Sequence, residues 1–367
     1  MKICAVICEL NPVHNGHKYI FDKAKEITGA DYLIALMSGS YVQRGEPALF
    51  DKHTRTRMAL NIGADAVLEL PGIFATGSAQ YFARGAVALL TQLGNIDYLC
   101  FGSESGSISH IMEEDIHESN DILAKEYLNA LLYFDSSITP VAIKRIGTDY
   151  NNKDSIIDGI CSATYIRNSI VNGKNDFYTA IPKACQNDFT NTPVYYDDYS
   201  DVIYTSIVNL CISSLSQNST DLSLFFDVYG DLSDKITKNI YSYESAESFC
   251  HLLKSKDIAF SHIKRALLHI ALGYTKSDMD LIMSHSYFAY LRLLGFKKAS
   301  LPLLSSIKES SDNPLISKLS DYESILKPYQ RDILKKDINA SMIYEYIRHR
   351  KDNMPVINEY RKNIVIM

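Results

Sequence analysis

The chain has 367 residues, of which 46% are hydrophobic and 22% charged, with a formal net charge of −6. That describes an ordinary globular protein with material for two domains, and it excludes a global basic field for nucleic acid while leaving room for a local basic face. No signal peptide or run of membrane-spanning length is visible, and the seven cysteines (Cys4, Cys8, Cys100, Cys161, Cys185, Cys211, Cys250) lack zinc-ribbon spacing, so a cytoplasmic protein with small core cysteines is expected.

The apolar run Ile3 to Ile7 predicts a buried strand. Asn11-Pro12-Val13-His14-Asn15-Gly16-His17-Lys18 follows it. Ile20, Phe21, Ala24 and Ile27 then recur at helical spacing, up to a stop at Gly29. The two histidines therefore fall on a turn that opens a helix. Such a turn offers free N–H groups and the positive end of the dipole to a phosphate. Gly16 leaves the backbone open to close approach, and imidazole nitrogens can bond phosphoryl oxygens. A plain helix cap with two surface histidines fits the same letters.

Tyr32 to Met37 predicts a second strand, followed by the polar loop Ser38 to Pro47. Asp51 can cap a helix running through Met58 and Leu60 to Gly63, and Ala66 to Leu70 is a third strand. Ala79 to Leu93 is a helix, and Tyr98 to Phe101 a fourth strand closed by Gly102-Ser103-Glu104. Ile122 to Leu132 is helical, Val141 to Ile146 a fifth strand, and Ser162 caps a short helix, Thr164 to Val171, stopped by Gly173. Repeated strand–helix units with apolar strands predict an α/β fold with a Rossmann-like parallel sheet covered on both faces. Asn11–His17, Ser38–Gly45 and Gly102–Glu104 all follow strands, so they share the carboxyl edge where such sheets bind ligands.

Beyond about residue 180 strand signals thin out. Helical periodicity takes over in Val202–Leu215, Ala246–Leu253, Ile258–Leu272, Met279–Leu294 and Ser341–Arg348. The expectation is an ATP-binding domain over 1–180 and a mostly α-helical C-terminal domain over 181–367, joined through Asn187 to Asp201. Pro314 to Lys318 is a loop or short element.

Several side chains are candidates for chemistry, each with an ordinary structural alternative. Arg44, in the loop with Gln43 and Glu46, suits a phosphate or carboxylate, or solvent. Arg55 and Arg57 point to different sides of their helix, so at most one faces the site. Glu69 can hold a metal, a helix terminus or a structural hydrogen bond. Ser162-Ala163-Thr164-Tyr165-Ile166-Arg167 puts hydroxyls and a guanidinium at a helix start, where they can close on pyrophosphate or simply cap the helix. Lys144-Arg145 ends the fifth strand, with Asp149-Tyr150-Asn151-Asn152 beyond it. His110, His117, His251, His269 and His349 have no evident partners. In the helical half Lys264-Arg265, Tyr290 with Arg292, Lys297-Lys298, Lys335-Lys336 and Arg348-His349-Arg350-Lys351 can serve RNA phosphates and bases, or form solvated faces.

The His-x-Gly-His turn resembles the nucleotidyltransferase and class I aminoacyl-tRNA synthetase superfamily, and Ser162–Arg167 is similar to the segment that replaces the synthetase lysine loop. A longer set of motifs resembles the bacterial tRNA(Met) cytidine acetate ligases. It comprises Glu9 to His17, Met37-Ser38-Gly39, Gln43 to Ala48, Arg55 to Leu60, Glu69-Leu70-Pro71, Phe101-Gly102-Ser103-Glu104, Ile143-Lys144-Arg145-Ile146-Gly147 and Ser162 to Arg167, then Leu294-Gly295-Phe296 and Ile316 to Asp321.

The resemblance implies an ATP-dependent ligase that makes N4-acetylcytidine at the wobble position of elongator tRNA(Met) from acetate, by way of acetyl-adenylate. It carries an ATP site onto Ile7-Cys8-Glu9-Leu10-Asn11-Pro12-Val13-His14-Asn15-Gly16-His17-Lys18-Tyr19-Ile20, Gly102, Arg145 and Ile146, with Ser162 and Thr164 added from the helix start. His14, His17 and Arg167 are the expected catalytic groups. Mg²⁺ is expected with ATP, and no metal-ligand cluster of the chain's own. The family's Asn-Asn-Ile-Leu-Gly segment is Asn120-Asp121-Ile122-Leu123-Ala124 here, so Asn120 and Asp121 are carried as departures from the pattern. Lys297, Lys298, Arg348 and Arg350 are the expected tRNA contacts. An adenylyltransferase acting on a small phosphorylated acceptor, and an RNA-binding protein that only retains the fold, are the alternatives. The extensive C-terminal half favours a macromolecular acceptor.

Overall fold

The computed structural model describes residues 1–113, 116–146, 155–213 and 221–367. Gly147, the stretch from Asp149 to Asn152, and Leu215 lie outside them. Eight strands form one sheet: β1 (Ile3–Cys8), β2 (Tyr32–Ser38), β3 (Ala66–Leu70), β4 (Tyr98–Ser103), β5 (Thr139–Lys144), β6 (Leu291–Phe296), β7 (Leu315–Ile316) and β8 (Val365–Ile366). The order is β8-β6-β3-β2-β1-β4-β5, with β7 on the far part of β6. The five strands expected from the first half are all parallel: β1 pairs β2 and β4, β2 pairs β3, and β4 pairs β5. β1 is buried along its whole length, as its unbroken apolar sequence requires.

Helices α1 (Asn15–Thr28), α2 (Lys52–Asn61), α3 (Ala79–Leu93), α4 (Ser119–Tyr133) and α5 (Ala163–Val171) fall where the periodicity put them. Gly29, with φ 61°, closes α1, and the Asp51 carboxylate caps α2 by accepting from the N–H groups of His53 and Thr54. The loop between β2 and α2 holds a two-residue hairpin, Tyr41–Val42 against Glu46–Pro47. The C-terminal half contributes α6 (Ser200–Ser213), α7 (Gly230–Asn239), α8 (Ala246–Leu253), α9 (Phe260–Leu272), α10 (Lys276–Ser284), α11 (Leu301–Ser310) and α12 (Pro328–Lys351).

One expected helix is wrong. Met279–Leu294 divides into the end of α10 and strand β6, which runs antiparallel to β3 with Ala66 opposite Phe296. The run Leu291-Arg292-Leu293-Leu294 has no decisive period, and the site of β6 beside β3 fixes it as a strand. The second half therefore completes the sheet of the first.

A closed square of charges makes that join. Lys52 of α2 meets Glu69 of β3 at 2.8 Å and Glu359 at 2.7 Å, and Arg292 of β6 meets both carboxylates at 2.8 Å. Each side chain is at most 6% exposed. The cations beside them hold both carboxyls below their ordinary range, against the opposing effect of burial. Breaking one corner leaves an uncompensated buried charge, which costs roughly 3–5 kcal/mol. Glu359→Gln should therefore lower the unfolding free energy in urea by about that much, and Arg292→Met combined with Glu359→Met should recover part of it. A loss below about 0.5 kcal/mol in Glu359→Gln would show that the square is not holding the two halves together.

Candidate active site

β1 ends in a turn where Leu10 adopts a left-handed backbone, φ 48°. Such strain persists only where the surroundings enforce it. The turn brings His14 to the cap of α1. The His14 backbone N–H donates to His17 Nδ1 at 3.2 Å. Nδ1 is thereby the acceptor, so a neutral His17 carries its proton on Nε2 and presents a donor. The two rings lie 3.9 Å apart, centroid to centroid. Burial pushes both imidazoles down. His17, Arg145 and Arg167 push His14 further, and Arg145 pushes His17 further. Both are therefore neutral at pH 7 and act through hydrogen bonds. No acidic residue occupies the first turn of α1, so the positive helix end is uncompensated.

Around this turn His14, Gly16, Tyr19 and Ile20 line a cleft with Arg145, Ile146, Ile160 and Cys161. Arg145 and Ile146 follow β5; Ile160 and Cys161 precede α5. Asn15 Nδ2 donates to the carbonyls of Gly159 and Thr179 at 2.8 and 3.1 Å, drawing that second wall onto α1. Ser162 caps α5 by accepting the Tyr165 N–H at 3.0 Å. Arg167 Nη1 donates to the Asn11 carbonyl at 2.7 Å, and Nη2 to Thr164 Oγ1 at 3.1 Å. The two motifs far apart in sequence thus meet at one turn. His14 Nδ1 and Arg145 Nε are buried without hydrogen-bond partners.

Other expected contacts shape the turn instead of lining the cleft. The side chains of Ile7, Cys8, Leu10 and Val13 are buried core, and Pro12 is buried with them. The Asn11 amide oxygen accepts the Leu49 N–H at 2.7 Å. Lys18 is exposed and pairs with Asp22. Glu9 accepts the Gln43 N–H at 2.7 Å; burial raises its carboxyl, against that bond and Arg44, Arg167 and Arg55.

Asp121 is a correction. It is 0% exposed, and its two oxygens accept from the N–H groups of Glu104 and Ser105 at 3.0 and 3.1 Å. It anchors the loop after Gly102. Asn120 donates to Glu104 instead of standing open to a ligand.

Arg55 is wholly buried and donates to the carbonyls of Phe50, Glu9, Ser38 and Gly39, so it braces the carboxyl ends of β1 and β2. Arg57 pairs with Asp188 at 3.0 Å. Glu69 belongs to the charge square, which answers the choice between metal and structure in favour of structure.

The four expected tRNA cations are separated. Lys297 and Lys298 follow Phe296, which lies opposite the first residue of β3, at the far end of the sheet from the histidine turn. Arg348 is 15% exposed and bonded to Glu345, whereas Arg350 is largely exposed. Sequence reasoning missed Ile160 and Cys161; their only signal is their place directly before the Ser162 cap.

The fold and the histidine turn make this a nucleotidyl transferase of the His-x-Gly-His class, and the HIGH nucleotidyl transferase family model matches residues 1–114 and 108–356. The tRNA(Met) cytidine acetate ligase of Acetivibrio thermocellus is 32% identical over 423 aligned positions that cover 100% of both chains. That of Thermoanaerobacter sp. is 34% identical over 92% of this chain and 94% of its own. The structure of Thermotoga maritima TmcAL bound with α-thio ATP matches with a TM-score of 0.88 and 25% identity, over 100% of both chains. The chain belongs to the tRNA(Met) cytidine acetate ligase family.

Two outcomes follow from this geometry. A Cβ at Gly16 would lie 2.9 Å from His14 Cε1 and Nδ1. Gly16→Ala should therefore displace the ring and weaken ATP binding at least about tenfold, while an alanine in a helical first turn leaves the melting temperature near wild type. Calorimetric titration and a thermal melt check both. The second concerns pH. Burial holds His53 and His269 near 4, and His14 and His17 are lowered as well. Below about pH 6.5 the unfolded chain binds more protons than the folded one, so stability is full above that and falls toward about pH 4. Asp337, raised by burial to about 6, works in the opposite sense over the same window and offsets part of the loss. Urea unfolding at pH 7, 6 and 5 should give a falling series.

Proposed function

We propose that the protein is an ATP-dependent ligase that joins acetate to the N4 amine of the wobble cytidine of elongator tRNA(Met). The observation that carries this is the donor-rich cleft at the start of α1, in a chain that matches tRNA(Met) cytidine acetate ligases over its whole length. An acetate oxygen attacks the α-phosphorus of ATP, giving acetyl-adenylate and pyrophosphate. His14, His17 Nε2–H and the open helix end meet the phosphoryl oxygens, and Arg145 and Arg167 offset the charge that develops there. The cytidine amine then attacks the acyl carbon, and AMP leaves with its phosphate oxygen. Positioning supplies much of the rate.

Among the described residues no group of three or more His, Cys, Asp or Glu side chains is placed to hold a metal ion. That supports Mg²⁺ arriving on the nucleotide as part of the substrate, held mainly by its phosphates. The mostly helical half, 181–367, is the proposed seat of the tRNA, with Arg350 the most exposed of the expected contacts. Its substrate puts the enzyme in the cytoplasm. No helix among the described residues is long and apolar enough to cross a membrane.

Incubation with ATP, labelled acetate and tRNA, followed by nucleoside digestion, should place the label in N4-acetylcytidine. AMP deposited on a small phosphorylated acceptor, or ATP binding without turnover, would overturn the reading. In acetate-dependent ATP–pyrophosphate exchange His14→Ala and His17→Ala should each lose about 100- to 1,000-fold. Arg167→Ala should be more harmful than Arg167→Lys, which keeps a point charge but loses the fork. Transfer from preformed acetyl-adenylate should suffer less in both Arg167 variants, because pyrophosphate has already left.

A further inference from the structure

Glu104 stands at the carboxyl end of β4, two residues past Gly102, and the proposed reaction gives it no task. It is held from several sides. Its backbone N–H is fixed by Asp121 at 3.0 Å, and its Oε1 accepts from Asn120 Nδ2 and faces Arg145 Nε at 3.9 Å. Its Oε2 is buried and has no hydrogen-bond partner. A carboxylate oxygen left in that state costs free energy unless something donates to it.

The neighbouring unpartnered atoms show what fits. His14 Nδ1 and Arg145 Nε are buried and unpaired in the same region, and Arg145 lines the cleft with His14. The cleft thus runs from imidazoles and a helix start, through a guanidinium, to a bare acceptor. A nucleotide offers acceptors along its phosphates. Its only donors are the ribose hydroxyls and, on adenine, the exocyclic amine. Glu104 lies one guanidinium away from the phosphate end, which favours the ribose over the more distant amine. An acidic side chain at the carboxyl edge of a dinucleotide-binding sheet meets a ribose hydroxyl by the same chemistry.

We propose that Glu104, positioned by Asn120 and Arg145, accepts a hydrogen bond from a ribose hydroxyl of the nucleotide and makes the site selective for ribonucleotides. This rests on the ATP-site reading above and deepens it. Gly102 keeps the approach clear: a Cβ there would lie 3.3 Å from Ile20 Cδ1 and 3.4 Å from Arg145 Cγ.

The test is direct binding of ATP, 2′-deoxyATP and 3′-deoxyATP to the full chain by calorimetry, with neither acetate nor tRNA present. Wild-type protein should bind ATP about ten- to a hundredfold more tightly than one of the deoxy forms, the range expected for a hydrogen bond to a charged group. In Glu104→Ala that ratio should fall close to one. Glu104→Gln, of the same size, should give an intermediate ratio and guards against a folding defect, since a ratio within one variant does not depend on its active fraction. Unchanged ratios in both variants, with ATP still bound, would overturn the role of Glu104 alone. Wild-type protein that binds none of the three would overturn the nucleotide site itself.

Discussion

The site depends on charges that never touch it. Lys52 and Arg55 lie one turn apart on α2 and are both buried. Lys52 closes the square with Glu69, Arg292 and Glu359, and Arg55 binds the carbonyls at the ends of β1 and β2. One helix thus locks the second half of the chain to the sheet with one side chain and braces the strand ends with the other. A lone buried cation would be very costly. Two cations against two carboxylates, each touching both opposites, leave no uncompensated charge. The gain is geometric: the strand ends that carry the histidine turn are fixed by charged groups with no room to relax.

This explains which parts of the protein were legible in its sequence. The histidine turn was readable because everything that forms it is local: an apolar strand before it, a helical period after it, and Gly16 where a side chain would strike His14. The Ser162 cap and its helix were readable for the same reason. β6 was not. Its arginine breaks the apolar pattern, and the carboxylates that make a buried Arg292 tolerable come from Glu69 and Glu359, far away in the chain. Asp121 was misread for a related reason. A carboxylate beside a nucleotide motif looks like a ligand contact until the N–H groups of a separate loop are found on both its oxygens.

Within the cleft, charge and hydrogen bonding are divided between residue types. Two imidazoles 3.9 Å apart cannot both be charged cheaply beside Arg145, and burial adds to the penalty. They therefore remain neutral donors of fixed tautomer, while the guanidiniums supply the positive charge. A triphosphate brings negative charge and so weakens the very repulsion that keeps the imidazoles neutral. The empty site and the filled site then differ in how readily these histidines take up a proton, and the difference favours the filled one.

The loop from Gln43 to Glu46 shows how closely the two halves cooperate. At one end the Gln43 N–H holds Glu9, the residue next to the strained Leu10. At the other, Glu46 pairs with Lys264 of α9 at 2.7 Å, and Lys264 pairs in turn with Glu247 of α8. Between them Gly45, with φ 75°, packs so tightly on the Arg265 backbone that no side chain fits there. A shift of α9 must therefore move this loop, and the loop bears on the carboxylate behind the histidine turn. The expected line at residue 180 divides the sequence by its patterns. Mechanically, helices from the second half help to set the position of the catalytic turn in the first.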